Sequence, residues 1–233
     1  DPVDRPVSVE RTSRALSDLW HTIKRLPNHP SLFAYLGSSM FYRDALNALY
    51  AFGGVYATLV LGWGTIWLGV FGIISVITAA VFTYVGGRFD TKLGPKPVII
   101  FCILCLLVVS TIIVGMSRTQ VFGIPLPADS MIPDIIFFVC GSVIGGAGGA
   151  IYAASRSMMV RHTNPERPTE AFGLFALSGK ATAFMAPMLI GVFTAMTGNV
   201  QLGFLPVIFL FLLGLVMLSW VNKDGDRAAW SAS

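Results

Sequence analysis

Charged residues are scarce in this chain. They make up 12% of its 233 residues, against about 25% in a soluble globular domain. Hydrophobic residues make up 55%, and the mean hydropathy is +0.73. With so few charges to cover a surface of this size, the composition excludes a disordered chain and an ordinary cytosolic enzyme. It is typical of a polytopic membrane protein.

Residues that carry chemistry are also few. Three cysteines (Cys102, Cys105 and Cys140) lie in apolar runs, and their odd number fits no disulfide framework. Residues 173–180 resemble a phosphate loop, but Ala181 stands where a magnesium-binding Ser or Thr is required. We find no Ser-His-Asp or Glu-x-x-His arrangement and no set of metal ligands. The sequence therefore predicts neither an enzyme nor a cofactor or metal site, and a net charge of +4 is too small to indicate nucleic-acid binding.

Long apolar runs dominate the chain. No charged residue occurs in residues 45–87 or 181–222, and each run is long enough for two membrane crossings of about 20 residues. We predict six transmembrane helices at residues 31–61, 65–87, 97–116, 132–155, 171–197 and 202–221. The third helix of each three is the most apolar, so we expect an all-α polytopic membrane protein built as two three-helix repeats, with spans three and six facing lipid.

The basic residues indicate the orientation of the bundle. Five precede the first span, three lie between spans two and three, three follow span four and two follow span six, while the opposite loops hold only Arg118. Because cytoplasmic loops carry an excess of Lys and Arg, both termini are predicted to be cytoplasmic.

Three regions follow from these assignments. Residues 1–29 are predicted to be a cytoplasmic linker with an amphipathic surface helix, because Leu16, Leu19 and Ile23 recur at helical spacing. A solvated, partly helical linker is the alternative. Residues 30–222 are predicted to form the six-helix transmembrane bundle, and residues 223–233 a cytoplasmic tail.

Four charged residues lie within or at the end of the predicted spans, where charge is costly and usually serves a function. They are Arg43, Asp44, Arg156 and Lys180. At about 1.5 Å per residue, Arg43 lies roughly 27 Å and Lys180 roughly 26 Å from the outer ends of their helices. All four therefore belong to the cytoplasmic half of a core about 30 Å thick and can form one layer. Asn47 and Tyr50 extend the polar stripe of Arg43 and Asp44 along one helix face.

These six residues are the predicted substrate-binding or coupling residues. In one interpretation the basic side chains hold a substrate carboxylate, and Asp44 titrates as a proton carrier. In a second, Asp44 pairs with Lys180 or Arg156 in an inner gate that breaks and re-forms. The non-functional alternatives are a permanent buried ion pair, snorkelling of the long side chains to the interface, and simple bonding between helices.

Glycines mark a predicted helix contact. Gly141, Gly145 and Gly149 are spaced by four and share one face of the fourth span, which allows another backbone to approach closely. We expect static packing there, with a sliding or rocking contact as the functional alternative. Pro187 and the pair Gly53-Gly54 are candidate kinks.

The segment after span two carries a recognisable pattern. Residues 87–96 read GRFDTKLGPK and resemble the cytoplasmic loop signature of the major facilitator superfamily, Gly-x-x-x-Asp-Arg-x-Gly-Arg-Lys, with the acidic residue one position early. The resemblance implies a gating loop that contains Gly87, Asp90, Gly94 and Lys96.

Three further stretches resemble a narrower family. They are residues 41–54 (FYRDALNALYAFGG), 153–157 (AASRS) and 172–182 (FGLFALSGKAT). Together they look like the C-terminal half of the vacuolar amino-acid effluxer (autophagy-related) family and its bacterial relatives, over nearly the whole chain.

The resemblance implies a secondary transporter that exports an amino acid by alternating access, in a bacterial inner (plasma) membrane. It also implies twelve helices in two halves. The expected partners are therefore a small-molecule substrate, the lipid bilayer and the missing N-terminal six-helix half, or a second copy of the chain. The alternative function is a non-transporting membrane scaffold or assembly subunit, whose polar stripes only join helices.

Overall fold

The computed structural model describes residues 30–225, apart from residue 128 and residues 164–167. The helices are α1 (Pro30–Leu59), α2 (Thr65–Leu93), α3 (Pro95–Gly115), α4 (Ile132–His162), α5 (Pro168–Ala181), α6 (Met185–Thr197) and α7 (Leu205–Ser219). A 3-10 helix, Leu202–Phe204, precedes α7, and a small antiparallel hairpin of β1 (Gln120–Val121) and β2 (Ile124–Pro125) lies between α3 and α4. The predicted amphipathic helix falls in residues 1–29, outside the described residues.

Most of the described helices suit a bilayer. Five stretches are long and apolar enough to cross a membrane: Thr65–Leu93, Pro95–Gly115, Ile132–His162, Ala171–Thr197 and Leu202–Ser219. Helix α1 has 30 residues, enough to cross as well, but its polar side chains lower its hydropathy. The prediction of an all-α polytopic membrane protein is confirmed. The fifth predicted span consists of two helices, α5 and α6.

Three tyrosines hold one side of α1 against the bundle. Tyr35, Tyr42 and Tyr56 are fully buried. The Tyr35 hydroxyl donates to the carbonyl oxygen of Ser155 in α4 at 2.5 Å, and the Tyr42 hydroxyl bonds the Ser155 side chain at 2.8 Å. Tyr56 donates to the carbonyl oxygen of Met116, at the end of α3, at 2.6 Å. Because buried hydroxyls require partners, these bonds fix where α1 sits against α4 and α3.

The exposed helix of the bundle is α2, in which no residue is buried although one face packs along α4. Helices α3 and α7, which we expected to face lipid, each bury one side, at Ile99 and Leu106 in α3 and at Val207 and Phe211 in α7. Hydropathy does not distinguish a lipid-facing helix surface from one that packs on a neighbouring helix, because apolar side chains are stable in both environments.

Candidate functional site

The interruption between α5 and α6 has a local cause. Pro187 supplies no N–H, and its ring clashes with a helical carbonyl four residues earlier, at Ala183. The chain turns at residues 182–184, and the N–H of Met185 donates a hydrogen bond to the carbonyl oxygen of Thr182 at 2.8 Å. In a continuous helix that carbonyl would accept from Ala186. The N–H of Ala186, in the first turn of α6, therefore lacks its helical acceptor. A backbone donor is set free inside the bundle.

Asp44 of α1 accepts this free donor. The distance from the Ala186 nitrogen to Asp44 Oδ2 is 2.8 Å, and the Asp44 residue is 1% exposed. A carboxylate is favoured at a helix N-terminus, because the free N–H groups and the helix dipole both present positive charge there. The other oxygen, Oδ1, is buried without a hydrogen-bond partner among the described residues. One oxygen of the Asp44 carboxyl group therefore links α1 to the interrupted helix, and the other oxygen takes no part in this contact.

Neither ion pair expected for Asp44 is formed in this conformation. Among the described residues the one ion pair joins Arg118 Nη1 and Asp134 Oδ2, at 2.6 Å. Lys180 and Arg156 are both exposed. The free N–H of Ala186 takes the place that a basic side chain was predicted to fill.

Arg43 points away from Asp44 and toward α5. Its guanidinium lies 4.3 Å from the centre of the Phe175 ring, and its Nη1 donates to the Phe175 carbonyl oxygen at 3.1 Å. A Cβ atom on Gly179 would lie 2.7 Å from the guanidinium carbon, so the glycine leaves room for this charge. Lys180 is the next residue along the chain, and its side chain is exposed.

The polar stripe of α1 continues to a tyrosine of α4. Asn47 is exposed, and its Oδ1 accepts a hydrogen bond from the Tyr152 hydroxyl at 2.6 Å. Arg156 lies one helical turn beyond Tyr152. Tyr50, 46% exposed, points at the Ile144 carbonyl oxygen from 3.5 Å. The polar side chains of α1 and α4 therefore share an uncovered side of the bundle.

A cavity of about 470 Å³ continues from Tyr50 between α1, α2 and α4. Most of its lining is aromatic, aliphatic or glycine, as at Gly53, Phe71 and Gly145, with the Tyr50 and Ser75 side chains among the polar groups. It is wide enough for a small solute, because ligand pockets commonly measure about 300–1,000 Å³.

The predicted gating segment is helical over most of its length. Helix α2 continues to Leu93, so Gly87 and Asp90 lie on its last two turns, and α3 begins at Pro95. The corner itself is Gly94, whose φ of +87° is rarely adopted by other residues. Lys96 donates from Nζ to the carbonyl oxygens of Ser219 at 3.2 Å and Val221 at 2.6 Å. These bonds tie the start of α3 to the end of α7.

The glycine stripe of α4 faces α2. A Cβ atom on Gly141 would collide with the Phe71 ring, one on Gly145 with the Ser75 carbonyl oxygen, and one on Gly149 with the Thr83 hydroxyl. The contacted residues are themselves spaced by four and by eight, so they share one face of α2. The two helices meet along matching faces at a separation that side chains on α4 would not permit.

Comparison with known proteins identifies the family. The sequence profile described as "Vacuole effluxer Atg22 like" matches residues 4–230. The chain belongs to this family. Similar proteins include the uncharacterized MFS-type transporter YxiO of Bacillus subtilis, 24% identical over 88% of this chain and 44% of YxiO. Autophagy-related protein 22 of Cryptococcus neoformans is 23% identical over 88% of this chain and 36% of its own length.

Autophagy-related protein 22-2 of Emericella nidulans is also 23% identical, over 91% of this chain and 36% of its own length. This Atg22-like chain thus spans less than half the length of these relatives. The family is one of transporters and not of enzymes. No solved structure matches the chain significantly.

Sequence analysis did not select several residues that organise this Atg22-like bundle. Tyr152 was not singled out, although it lies one turn before Arg156. On the opposite end, Asp134 accepts from Trp63 Nε1 at 2.6 Å as well as from Arg118. The sequence did contain a signal for this cluster. Arg118 is an isolated basic residue, and the acidic residue Asp134 follows it in the first turn of α4, so the two can form an ion pair.

Proposed function

We propose that this chain forms one half of a secondary transporter that moves a small polar solute, an amino acid, by alternating access. The observation that carries the proposal is Asp44. Charged residues are rare in membrane helices and usually line a substrate or proton path. Here a buried carboxyl group holds the interrupted helix with one oxygen and leaves its second oxygen without a partner.

This arrangement suits proton coupling. A proton can bind Oδ1 while Oδ2 keeps its bond to the Ala186 N–H, so Asp44 can change charge without detaching α6. Protonation weakens the attraction between the carboxyl group and the positive end of α6, because that attraction depends on the negative charge. A proton taken up on one side of the membrane therefore loosens the contact between α1 and α6, which is a suitable step in a change of access.

The uncovered polar side supplies the means to hold an amino acid. Arg43, Arg156 and Lys180 carry positive charge on or beside this side, and the carboxylate of Asp44 is turned away from it. Guanidinium and ammonium groups bind a substrate carboxylate through charge-assisted hydrogen bonds. The cavity beyond Tyr50 offers a less polar space for the remainder of the solute.

A second helical half completes this site in the proposal. Transporter sites lie between two halves that rock against each other, and this chain spans 44% of YxiO. We infer that the uncovered sides of α1, α2 and α4 meet either a preceding six-helix half or a second copy. Both termini then face the cytoplasm, and the membrane is the bacterial inner membrane.

A flux assay tests the function. The full-length protein is reconstituted into liposomes, and uptake of a panel of radiolabelled amino acids is followed with and without a pH gradient. Gradient-driven uptake that empty liposomes lack supports the transporter. A well-folded protein with no flux for any solute in the panel favours the scaffold, in which the polar stripes only join helices.

Replacing Arg156 with Gln is expected to raise the KM of the transported amino acid at least about tenfold. The loss of one hydrogen bond to a charged group costs about 1.5–3 kcal/mol, and the exposed Arg156 side chain makes no hydrogen bond or ion pair that is seen among the described residues. Concentration-dependent uptake in proteoliposomes measures the change. Lys223→Gln is the matched control, because Lys223 is exposed at the end of the bundle. An unchanged KM in Arg156→Gln contradicts the assigned role.

A further inference from the structure

A second, entirely separate groove lies on the surface between α2, α3 and α4. Its volume is about 360 Å³, and almost all of its surface is apolar. Phe82, Phe89 and Leu93 of α2 form one wall, Phe101 of α3 forms the other, and Ala147 of α4 forms the floor. Both walls are open to the surroundings, since Phe89 is 52% and Phe101 is 65% exposed.

The groove has the length of one lipid tail. From Phe82 to Leu93 the helix rises by about 16 Å, at about 1.5 Å per residue. One leaflet of a bilayer core is about 15 Å thick, half of the full thickness of about 30 Å. Because Arg88, Asp90 and Lys92 place the last turns of α2 near the membrane surface, the groove runs from that surface into one leaflet.

Positive charge gathers where the groove reaches the end of α2. Lys92 and Lys96 flank the Gly94 corner in sequence. The guanidinium of Arg161 packs on the same glycine, because a Cβ atom there would lie 3.2 Å from Arg161 Nη1. Lys96 and Arg161 each donate to backbone carbonyls, and neither forms an ion pair with any of the described residues. The acidic residues near the same corner are Asp90 and Asp224, whose chain neighbours Lys223 and Gly225 both contact Arg161. The three basic residues outnumber these two.

We propose that this groove binds an anionic phospholipid, with one acyl chain between α2 and α3 and the phosphate headgroup at the Gly94 corner. The combination carries the inference: an open apolar channel one leaflet long, with a cluster of cations at the mouth that ends at the membrane surface. Nonspecific contact with bulk lipid requires neither the apolar channel nor the cluster of basic residues. The proposal is independent of the transport function, because it uses none of the residues assigned to the solute.

Photo-crosslinking tests the position of the lipid. The full-length protein is reconstituted in vesicles that contain phosphatidylglycerol with a photoreactive group in its acyl chain, and crosslinked peptides are mapped by mass spectrometry. We expect crosslinks concentrated at Phe89, Phe101 and Cys105, which line the groove, and fewer at Val108, which is exposed on α3 outside it. Crosslinks spread evenly over α3, or absent from the groove because another part of the protein covers it, overturn the proposal.

Variants separate the tail site from the headgroup site. Ala147→Leu fills the floor of the groove, and its control, Ala80→Leu, adds the same bulk at an exposed position of α2. Lys92→Gln removes a cation at the mouth, and its control, Lys180→Gln, removes an exposed cation from α5, a helix that does not line the groove. Retained phosphatidylglycerol is measured against phosphatidylcholine by native mass spectrometry of the folded, monodisperse protein.

We expect Ala147→Leu to abolish the enrichment of phosphatidylglycerol. Lys92→Gln is expected to lower it about fivefold, the factor for about 1 kcal/mol per basic residue at an anionic surface. The two controls leave it unchanged. Equal retention of both lipids by the unsubstituted protein, or full enrichment in Ala147→Leu, overturns the proposal.

Discussion

Replacing Asp44 with Asn is expected to abolish proton-driven transport and to leave the fold intact. The Asn side chain keeps an oxygen that accepts the Ala186 N–H, so the contact between α1 and α6 persists. It binds no proton at physiological pH, so the charge change that loosens this contact is lost. Uptake in proteoliposomes with and without an imposed pH gradient measures the effect. The gradient-dependent part should fall to the background of empty liposomes, and any remaining exchange of solute should be independent of pH.

Asp44→Leu provides the contrast that separates coupling from stability. Leucine cannot accept the Ala186 N–H, and an unsatisfied buried donor costs about 1–3 kcal/mol. We expect this variant to be less thermally stable in detergent than Asp44→Asn, by several degrees in Tm. Proton-driven uptake that survives in Asp44→Asn rules out Asp44 as the carrier. Equal stability of the two variants argues against its role in holding α6.

Replacing Gly145 with Ala is expected to destabilise the bundle strongly. The new Cβ atom would collide with the Ser75 carbonyl oxygen, and a backbone group inside α2 cannot move without shifting the whole helix. Overpacking of this kind typically costs about 1–3 kcal/mol, and in this case the loss falls on the main contact that holds α2. Thermal unfolding of the purified protein, followed by size-exclusion chromatography, measures the loss.

Gly69→Ala is the matched control for this substitution. Gly69 lies in α2, on the other side of the same helix pair, and a Cβ built there would meet no side chain or neighbouring helix within 4 Å. Alanine favours a helix over glycine by about 1 kcal/mol, so the control should be neutral or stabilising. If Gly145→Ala were as stable as Gly69→Ala, the glycine stripe would not set the distance between α2 and α4.

Helix positions were predictable because the bilayer sets their length and composition. The apolar runs locate each crossing. Asp44 stands out as a candidate functional residue because burying a charge in a membrane helix is costly. The partner of Asp44 was not predictable in the same way. It is a backbone N–H that lies 142 residues away in the chain and becomes free only because Pro187 interrupts the fifth span. The sequence indicates a kink at Pro187, but it does not say which donor is released or what reaches it.

Exposure was the second limit of the sequence. The spans were ranked by apolar content. Helix α2 is less apolar than α3, yet α2 buries no residue and α3 buries one side. Burial depends on which neighbour a helix meets, and in a bilayer both lipid and protein accept apolar surface. The hydrogen bond between Asn47 and Tyr152 likewise depends on the approach of α1 to α4, which no local pattern encodes.

The short length of α6 has a mechanical consequence. Its 13 residues rise by about 20 Å, less than the full hydrophobic thickness, and a turn at residues 182–184 separates it from α5. In the proposed transport cycle, we expect α6 to tilt while the longer neighbouring helices stay in place. Its movement would close one end of the solute path, and its bond to Asp44 would link that movement to the charge of the carboxyl group.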